Sequence, residues 1–321
     1  LHSVVCFHYT IYPSVSQQKF IANIIFLRYN LLVRSFAMNL SDINTVRSLL
    51  AKNGFTFKKS LGQNFLTDPE VCPAMARAAC DENTGVLEIG PGFGVLTAEL
   101  SKAAKRVVAI ELDERLKKVL PETLADCKNV EVIYGDALKL DLRALIKEHF
   151  ADCERVAVCA NLPYYITSPV IMTLLESKLP IDSVTVMVQK EAAERLCAEV
   201  GTREAGAVSV AVSYYSKPEI LFTVDKDSFM PPPKVDSAVI KLKILEKPPV
   251  KVNDERAFFR LVKCCFAQRR KTLVNTVSNT AGIEKERIRN ALNTLGISEM
   301  ARSEQLTLAE LAKLSNLLGG R

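Results

Sequence analysis

Histidine is scarce in this chain: three residues in 321, two of them (His2 and His8) near the very start. That leaves little for a histidine-rich metal site. Nine cysteines are present, yet they lack the paired spacing of a disulfide framework, and Cys264-Cys265 are adjacent rather than set apart as zinc ligands would be. A reducing compartment and no bound metal are the expectation. No internal repeat or low-complexity segment is visible, and 48% hydrophobic with 24% charged residues excludes a disordered or collagenous chain. The length favours two domains. The excess of 42 Lys+Arg over 36 Asp+Glu permits nucleic-acid binding without requiring it.

The first 37 residues contain no acid at all and only three bases, Lys19, Arg28 and Arg34. Residues 38–321 therefore carry 39 basic against 36 acidic side chains, a net +3. The apolar stretch at the core of the leader, Phe20 to Leu27, falls far short of the roughly 20 residues that span a bilayer, so no membrane anchor is expected there. Its acid-free composition fits a targeting presequence, although two arginines without amphipathic period are a weak signal. Translated sequence upstream of a true start at Met38 is the reading preferred here, with 1–37 outside the functional fold.

After Met38, runs rich in Val and Ile recur at 86–90, 106–112, 130–135, 155–160 and 183–189, and the stretches between the early ones read as helices. Strands alternating with helices imply an α/β doubly wound sheet. Residues 207–224 and 237–245 have strand character without a full helix between them and suggest an antiparallel end to the sheet. Lys247-Pro248-Pro249-Val250 then punctuates the chain. Beyond it, 255–268, 285–295 and 307–318 read as helices, with Ser303 and Thr307 as caps. The expected division is a catalytic domain over 38–246 and a small all-helical domain over 250–321.

The sharpest signal is Val86-Leu87-Glu88-Ile89-Gly90-Pro91-Gly92-Phe93-Gly94, a buried strand running into three glycines and then a helical segment. Glycine there lets the backbone turn tightly and approach a ligand. A dinucleotide fingerprint would need glycine at position 95, which is Val, so a nicotinamide or flavin is disfavoured. The second strand ends at Glu111, where a carboxylate can accept both hydroxyls of a ribose. The third ends at Tyr134-Gly135-Asp136, where Asp136 can accept the exocyclic amine of an adenine. Gly90, Gly92, Glu111 and Asp136 on successive strand tips describe an adenosine-bearing cofactor without a pyrophosphate, and S-adenosylmethionine is the natural candidate.

The fourth strand ends in Ala160-Asn161-Leu162-Pro163-Tyr164-Tyr165. The side-chain oxygen of Asn161 and the backbone carbonyl of Leu162 can both accept from an amine, and Tyr164 offers a face to a base held outside its stack. The quartet resembles the signature of methyltransferases acting on adenine N6, in its Asn-Leu-Pro-Tyr form. Further segments extend the likeness over nearly all of 38–321: Lys58-Lys59-Ser60-Leu61-Gly62-Gln63-Asn64-Phe65-Leu66, Gln189-Lys190-Glu191, Phe229-Met230-Pro231-Pro232-Pro233-Lys234-Val235-Asp236-Ser237, and Phe266-Ala267-Gln268-Arg269-Arg270-Lys271-Thr272. Together they resemble the ribosomal RNA small-subunit adenine dimethyltransferases, the bacterial KsgA/RsmA family.

That resemblance implies a Rossmann-like methyltransferase sheet with a small helical C-terminal domain. It implies S-adenosylmethionine-dependent N6,N6-dimethylation of two adjacent adenines near the 3′ end of small-subunit ribosomal RNA, in the cytoplasm, by a monomer acting on the immature 30S subunit. It further implies that Asn64 and Leu66 close over the cofactor, that Asn161 also touches it, that Leu162 and Pro163 shape the catalytic turn, and that Phe229 is the second face against the target base. Lys58 and Lys59 either touch phosphate or are simply solvated. Arg269, Arg270 and Lys271 either contact the RNA backbone or complement a helix dipole, with RNA contact preferred. The related large-subunit enzymes of macrolide resistance, a mitochondrial paralogue, and an assembly factor that chiefly binds the immature subunit are the alternatives.

Overall fold

A computed structural model describes residues 40, 42–54 and 65–319; the leader, 1–37, lies outside the described residues. In chain order the strands are β1 Phe65–Leu66, β2 Thr84–Ile89, β3 Arg106–Glu111, β4 Val130–Tyr134, β5 Arg155–Asn161, β6 Ser183–Gln189, β7 Ser216–Val224, β8 Phe229–Met230 and β9 Ser237–Ile244. The helices are α1 Ile43–Lys52, α2 Val71–Ala79, α3 Val95–Ala103, α4 Leu120–Thr123, α5 Leu142–His149, α6 Thr167–Glu176, α7 Lys190–Leu196, α8 Ala207–Tyr215, α9 Glu255–Phe266, α10 Leu273–Ala281, α11 Lys285–Thr294 and α12 Leu308–Leu318.

Seven strands form one sheet in the order β4-β3-β2-β5-β6-β9-β7. The five on the β4 side run parallel, while β9 pairs antiparallel with both β6 and β7. Strands covered by helices on both faces must be apolar throughout. Accordingly, all six residues of β2 and six of the seven in β6 are buried. β1 and β8 pair separately, setting Leu66 opposite Phe229. The Rossmann-like methyltransferase sheet and the helical C-terminal region expected from the sequence are both present.

Two expectations fail within that frame, one beside the sheet and one among the C-terminal helices. Residues 207–215, expected to be extended, form helix α8, and only 216–224 is a strand. The segment Ala-Val-Ser-Val-Ala-Val-Ser-Tyr-Tyr is rich in β-branched residues, but six of its nine side chains are buried between the sheet and the C-terminal helices. A segment apolar all round carries no period that separates a buried helix from a buried strand, so packing decides. The Gly206 amide donates to Ser209 Oγ at the start of α8, and Ser216 Oγ donates to the Val212 carbonyl at its end.

The C-terminal helices share a core with the sheet. Phe258, Leu261 and Val262 of α9 belong to the same continuous core as Leu87, Val158 and Val186 of the sheet. Glu255, opening α9, accepts from Tyr215 Oη at 2.8 Å and pairs with Lys178 Nζ at 3.0 Å, which ties the helix to the end of α8 and to the turn after α6. Thr307 caps α12 as expected, in a reciprocal box with Glu310. Ser303 is no helix cap; its hydroxyl donates to the Cys265 carbonyl in the last turn of α9. Helix α10, capped by Thr272, was not anticipated.

Candidate active site

The chain leaves β2 outward to β3 and β4, then returns to β5 on the other side of β2. The loops after β2 and β5 therefore diverge, and in open α/β sheets that divergence opens a crevice at the carboxyl ends of the strands. A cavity of about 360 Å³ lies there. Its wall brings together the glycine loop, the tips of β3, β4 and β5, Leu66 from β1 and Phe229 from β8. Residues the sequence scatters over 160 positions thus meet in one place.

Gly90 sits at φ +74°, and a Cβ built there would meet no atom within 4 Å, so its backbone faces open space. Gly94, at φ +87°, opens α3 where a Cβ would come within 2.7 Å of Leu124 Cδ2. The two glycines serve different needs, access at the first and close packing at the second. The loop is held by Glu111: its Oε2 accepts from the Gly92 amide at 3.1 Å and its Oε1 from the Asp113 amide at 2.7 Å. Burial holds the Glu111 carboxyl above the ordinary glutamate range, with those two amides pulling the other way. Asp136 is half-buried; its Oδ1 accepts from the Leu138 amide at 3.0 Å, and its Oδ2 lies 3.4 Å from the exposed Lys139 ammonium.

These residues fit S-adenosylmethionine. The decisive observation is one that the sequence reading missed. Glu88, on β2 just before the glycine loop, lines the cavity at 1% exposure, and its Oε2 has no hydrogen-bond partner among the described residues. A buried orphan carboxyl is costly and signals a missing polar partner. A cofactor carrying hydroxyls, an amine and an ammonium supplies such partners, and a purely apolar ligand does not. The available signal was an acid inside an otherwise apolar strand.

Burial pushes Glu88 up to about 8, with the neighbouring Thr97 hydroxyl pulling the other way and the Glu111 charge adding a smaller upward push. Its sign is the reverse of a salt-bridged acid. Between the ordinary value of 4.5 and about 8 the unfolded chain gives up a proton that the folded one keeps, so stability falls as pH rises through that window. The slope from this one residue is up to about 1.4 kcal/mol per pH unit. Thermal unfolding of ligand-free protein between pH 5 and 8 should show it, and Glu88→Gln should flatten the profile. An unchanged slope in that variant would place the carboxyl in a wetter setting.

On the opposite wall, Asn161 closes β5 in register with Met187 of β6, and no hydrogen bond holds its side-chain amide among the described residues. Leu162 is buried. Tyr164, half-buried, is pinned through its hydroxyl to Ser237 Oγ at 2.9 Å. Phe229 lies in the same wall at 5% exposure, paired against Leu66. Asn161, Leu162, Pro163, Tyr164 and Phe229 therefore converge with Gly90, Gly92, Glu111 and Asp136 on one cavity. Leu112, Leu138 and Tyr165 also line it while remaining exposed. Arg269, Arg270 and Lys271 are elsewhere, all exposed in the turn between α9 and α10, and Arg269 donates to the Arg203 carbonyl. Asn64, Lys58 and Lys59 lie outside the described residues.

Comparison with known proteins agrees with this geometry. The model of the family described as ribosomal RNA adenine dimethylase matches residues 54–319. The Ribosomal RNA small subunit methyltransferase A of Geobacillus thermodenitrificans is 50% identical over 276 residues, 85% of this chain and 94% of that protein. Among solved structures, a dimethyladenosine transferase from Plasmodium falciparum matches with TM-score 0.64 and 28% identity, over 78% of this chain and 95% of that one. The 23S rRNA methyltransferase ErmE matches with TM-score 0.61 and 27% identity, over 80% and 100%. A match over that span, with a relative at half identity across nearly its whole length, makes this chain a member of the ribosomal RNA adenine dimethylase family.

Proposed function

We propose that the chain uses S-adenosylmethionine to dimethylate N6 of two adjacent adenines near the 3′ end of small-subunit (16S) ribosomal RNA, as a cytoplasmic monomer working on the immature 30S subunit. The observation that carries the reading is the convergence of Asn161-Leu162-Pro163-Tyr164 with the glycine loop and Glu111 on one cavity. The bound cofactor would supply an electrophilic methyl group on a sulfonium. Glu111 accepts from its ribose hydroxyls, Asp136 from its adenine amine, and the open backbone at Gly90 lets it lie close. Leu66 covers it, with Asn64 in the same role.

The N6 lone pair of adenine is delocalised into the ring and attacks poorly. Asn161 Oδ1 and the Leu162 carbonyl accept the two amine hydrogens and hold the nitrogen so that this pair points at the methyl donor. Tyr164, its ring fixed by Ser237, supports one face of the base, and Phe229 supports the other. No strong general base is required of the chain, because the methylated ammonium is acidic enough to lose its proton to water. A base so held is out of its helical stack.

The reading is tested with purified protein, undermethylated small subunits and labelled cofactor, followed by digestion of the RNA. N6,N6-dimethyladenosine at two adjacent positions is expected. The likeness to ErmE favours one second reading, methylation of large-subunit RNA, which the same assay on large subunits would reveal. Binding of small subunits without any methyl incorporation would instead favour an assembly factor.

Arg270 and Lys271, with Lys58 and Lys59, are assigned to phosphate contacts. Replacing Arg270 and Lys271 together by alanine should lower RNA affinity and flatten log affinity against log salt by somewhat under one unit of slope per lost contact. Arg269 is left intact because it braces the loop at Arg203. Normal stability with an unchanged slope would remove this turn from the RNA interface.

A further inference from the structure

Tyr165 is the largest exposed aromatic at the cavity mouth, 57% accessible, and it follows directly on the residue that faces the target base. Tyr164 to Ile166 form a single 3₁₀ turn. With three residues per turn, successive side chains diverge by about 120°. Tyr164 is half-buried in the wall, while Tyr165 lines the mouth and stays exposed. Tyr164 is held by Ser237. Tyr165 makes no hydrogen bond or ring contact among the described residues. A solitary exposed side chain is ordinary, but one on the rim of a cavity that takes a nucleobase is placed to meet what lies next to that base.

We propose that Tyr165 is a second base platform, at the mouth of the cavity, that stacks the nucleotide adjacent to the adenine held against Tyr164. The inference rests on the reading that Tyr164 receives a flipped adenine in RNA. Flipping one nucleotide uncovers a face of its neighbour as well, so unstacking costs free energy at two bases. Tyr164 offsets the first loss and Tyr165 the second, because every base has a face that an aromatic ring can cover. In a substrate with two adjacent target adenines the neighbour is the other target. Tyr165 then holds one adenine at the rim while its partner occupies the site at Asn161, and exchange between the two rings needs no release of the RNA.

The test uses the full chain with S-adenosylhomocysteine bound and RNA in which one of the two target adenines is 2-aminopurine. Stacking should quench its fluorescence with the wild type and with Tyr165→Phe, while Tyr165→Ala should leave it bright. In turnover, Tyr165→Ala should lower kcat/KM by about 5- to 150-fold, mostly through KM, the range expected for one base stack. Tyr165→Phe should restore it. On RNA with an abasic site at the neighbouring position, Tyr165→Ala should cost nothing further. Unchanged binding of S-adenosylhomocysteine in all variants separates this from misfolding. Equal losses on intact and abasic RNA, or no loss on either, would overturn the platform while the proposed function stands. Failure of the wild type to methylate any such RNA would overturn both.

Discussion

Replacing Asn161 by alanine is expected to lower methyl transfer by about 100- to 1000-fold, the usual cost of deleting one pre-aimed hydrogen-bonding group that orients a reacting centre. RNA binding should hold within about twofold, because it depends on many phosphate contacts. The separation follows from where Asn161 sits. It is the last residue of β5, fixed by its register with Met187, so its position is set by the buried sheet, and no hydrogen bond holds its side chain among the described residues. The variant removes no internal hydrogen bond among the described residues and should fold normally. Filter binding and methyl incorporation measured on one preparation check the expectation. Activity within a factor of two of wild type would mean that the amine is held by something else.

Glu111→Ala should be the more damaging change for cofactor affinity. The carboxylate is assigned two ribose hydroxyls, and hydrogen bonds to a charged group are worth about 1.5–3 kcal/mol each. A loss of about 100-fold or more is therefore expected by calorimetry with S-adenosylhomocysteine. The same carboxylate also holds the Gly92 and Asp113 amides. Its removal unties the glycine loop from β3 and leaves two donors without an acceptor, so stability should fall by about 1–3 kcal/mol as well. Glu111→Gln, which keeps an acceptor for one amide, should recover part of the stability and less of the affinity. Affinity like the wild type in Glu111→Ala, or a preference for a nicotinamide dinucleotide, would dismiss the assignment.

Much of the catalytic half was legible because its signals are local. A buried parallel strand shows as a short apolar run, a glycine turn as glycines at its end, and a ligand acid as a carboxylate at a strand tip; β2, β3, β4, β5 and β6 all fall where such runs lie. The alternation of these strands with helices determined the sheet class, and the family likeness added Phe229 and Leu66, which no local rule would have paired with the glycine loop. The Asn161 turn was readable for a different reason: polar and aromatic residues are an odd way to leave a buried strand.

Three things were decided only in the folded molecule. Helix α8 was settled by burial on every side, since its local preference pointed to a strand and the apolar pattern had no period to contradict it. The helical C-terminal segment, punctuated in the chain by Pro248-Pro249, packs into the same core as the sheet, because α9 presents Phe258, Leu261 and Val262 to it. Glu88 and Tyr165 acquire meaning only from exposure, the first as a carboxyl with no partner and the second as a ring with no cover. The sequence by itself pointed to the candidate site residues and to the strand tips that present them. Tertiary structure decided which of those residues share one cavity and what that cavity still lacks, since contact and solvation depend on distance in space and not along the chain.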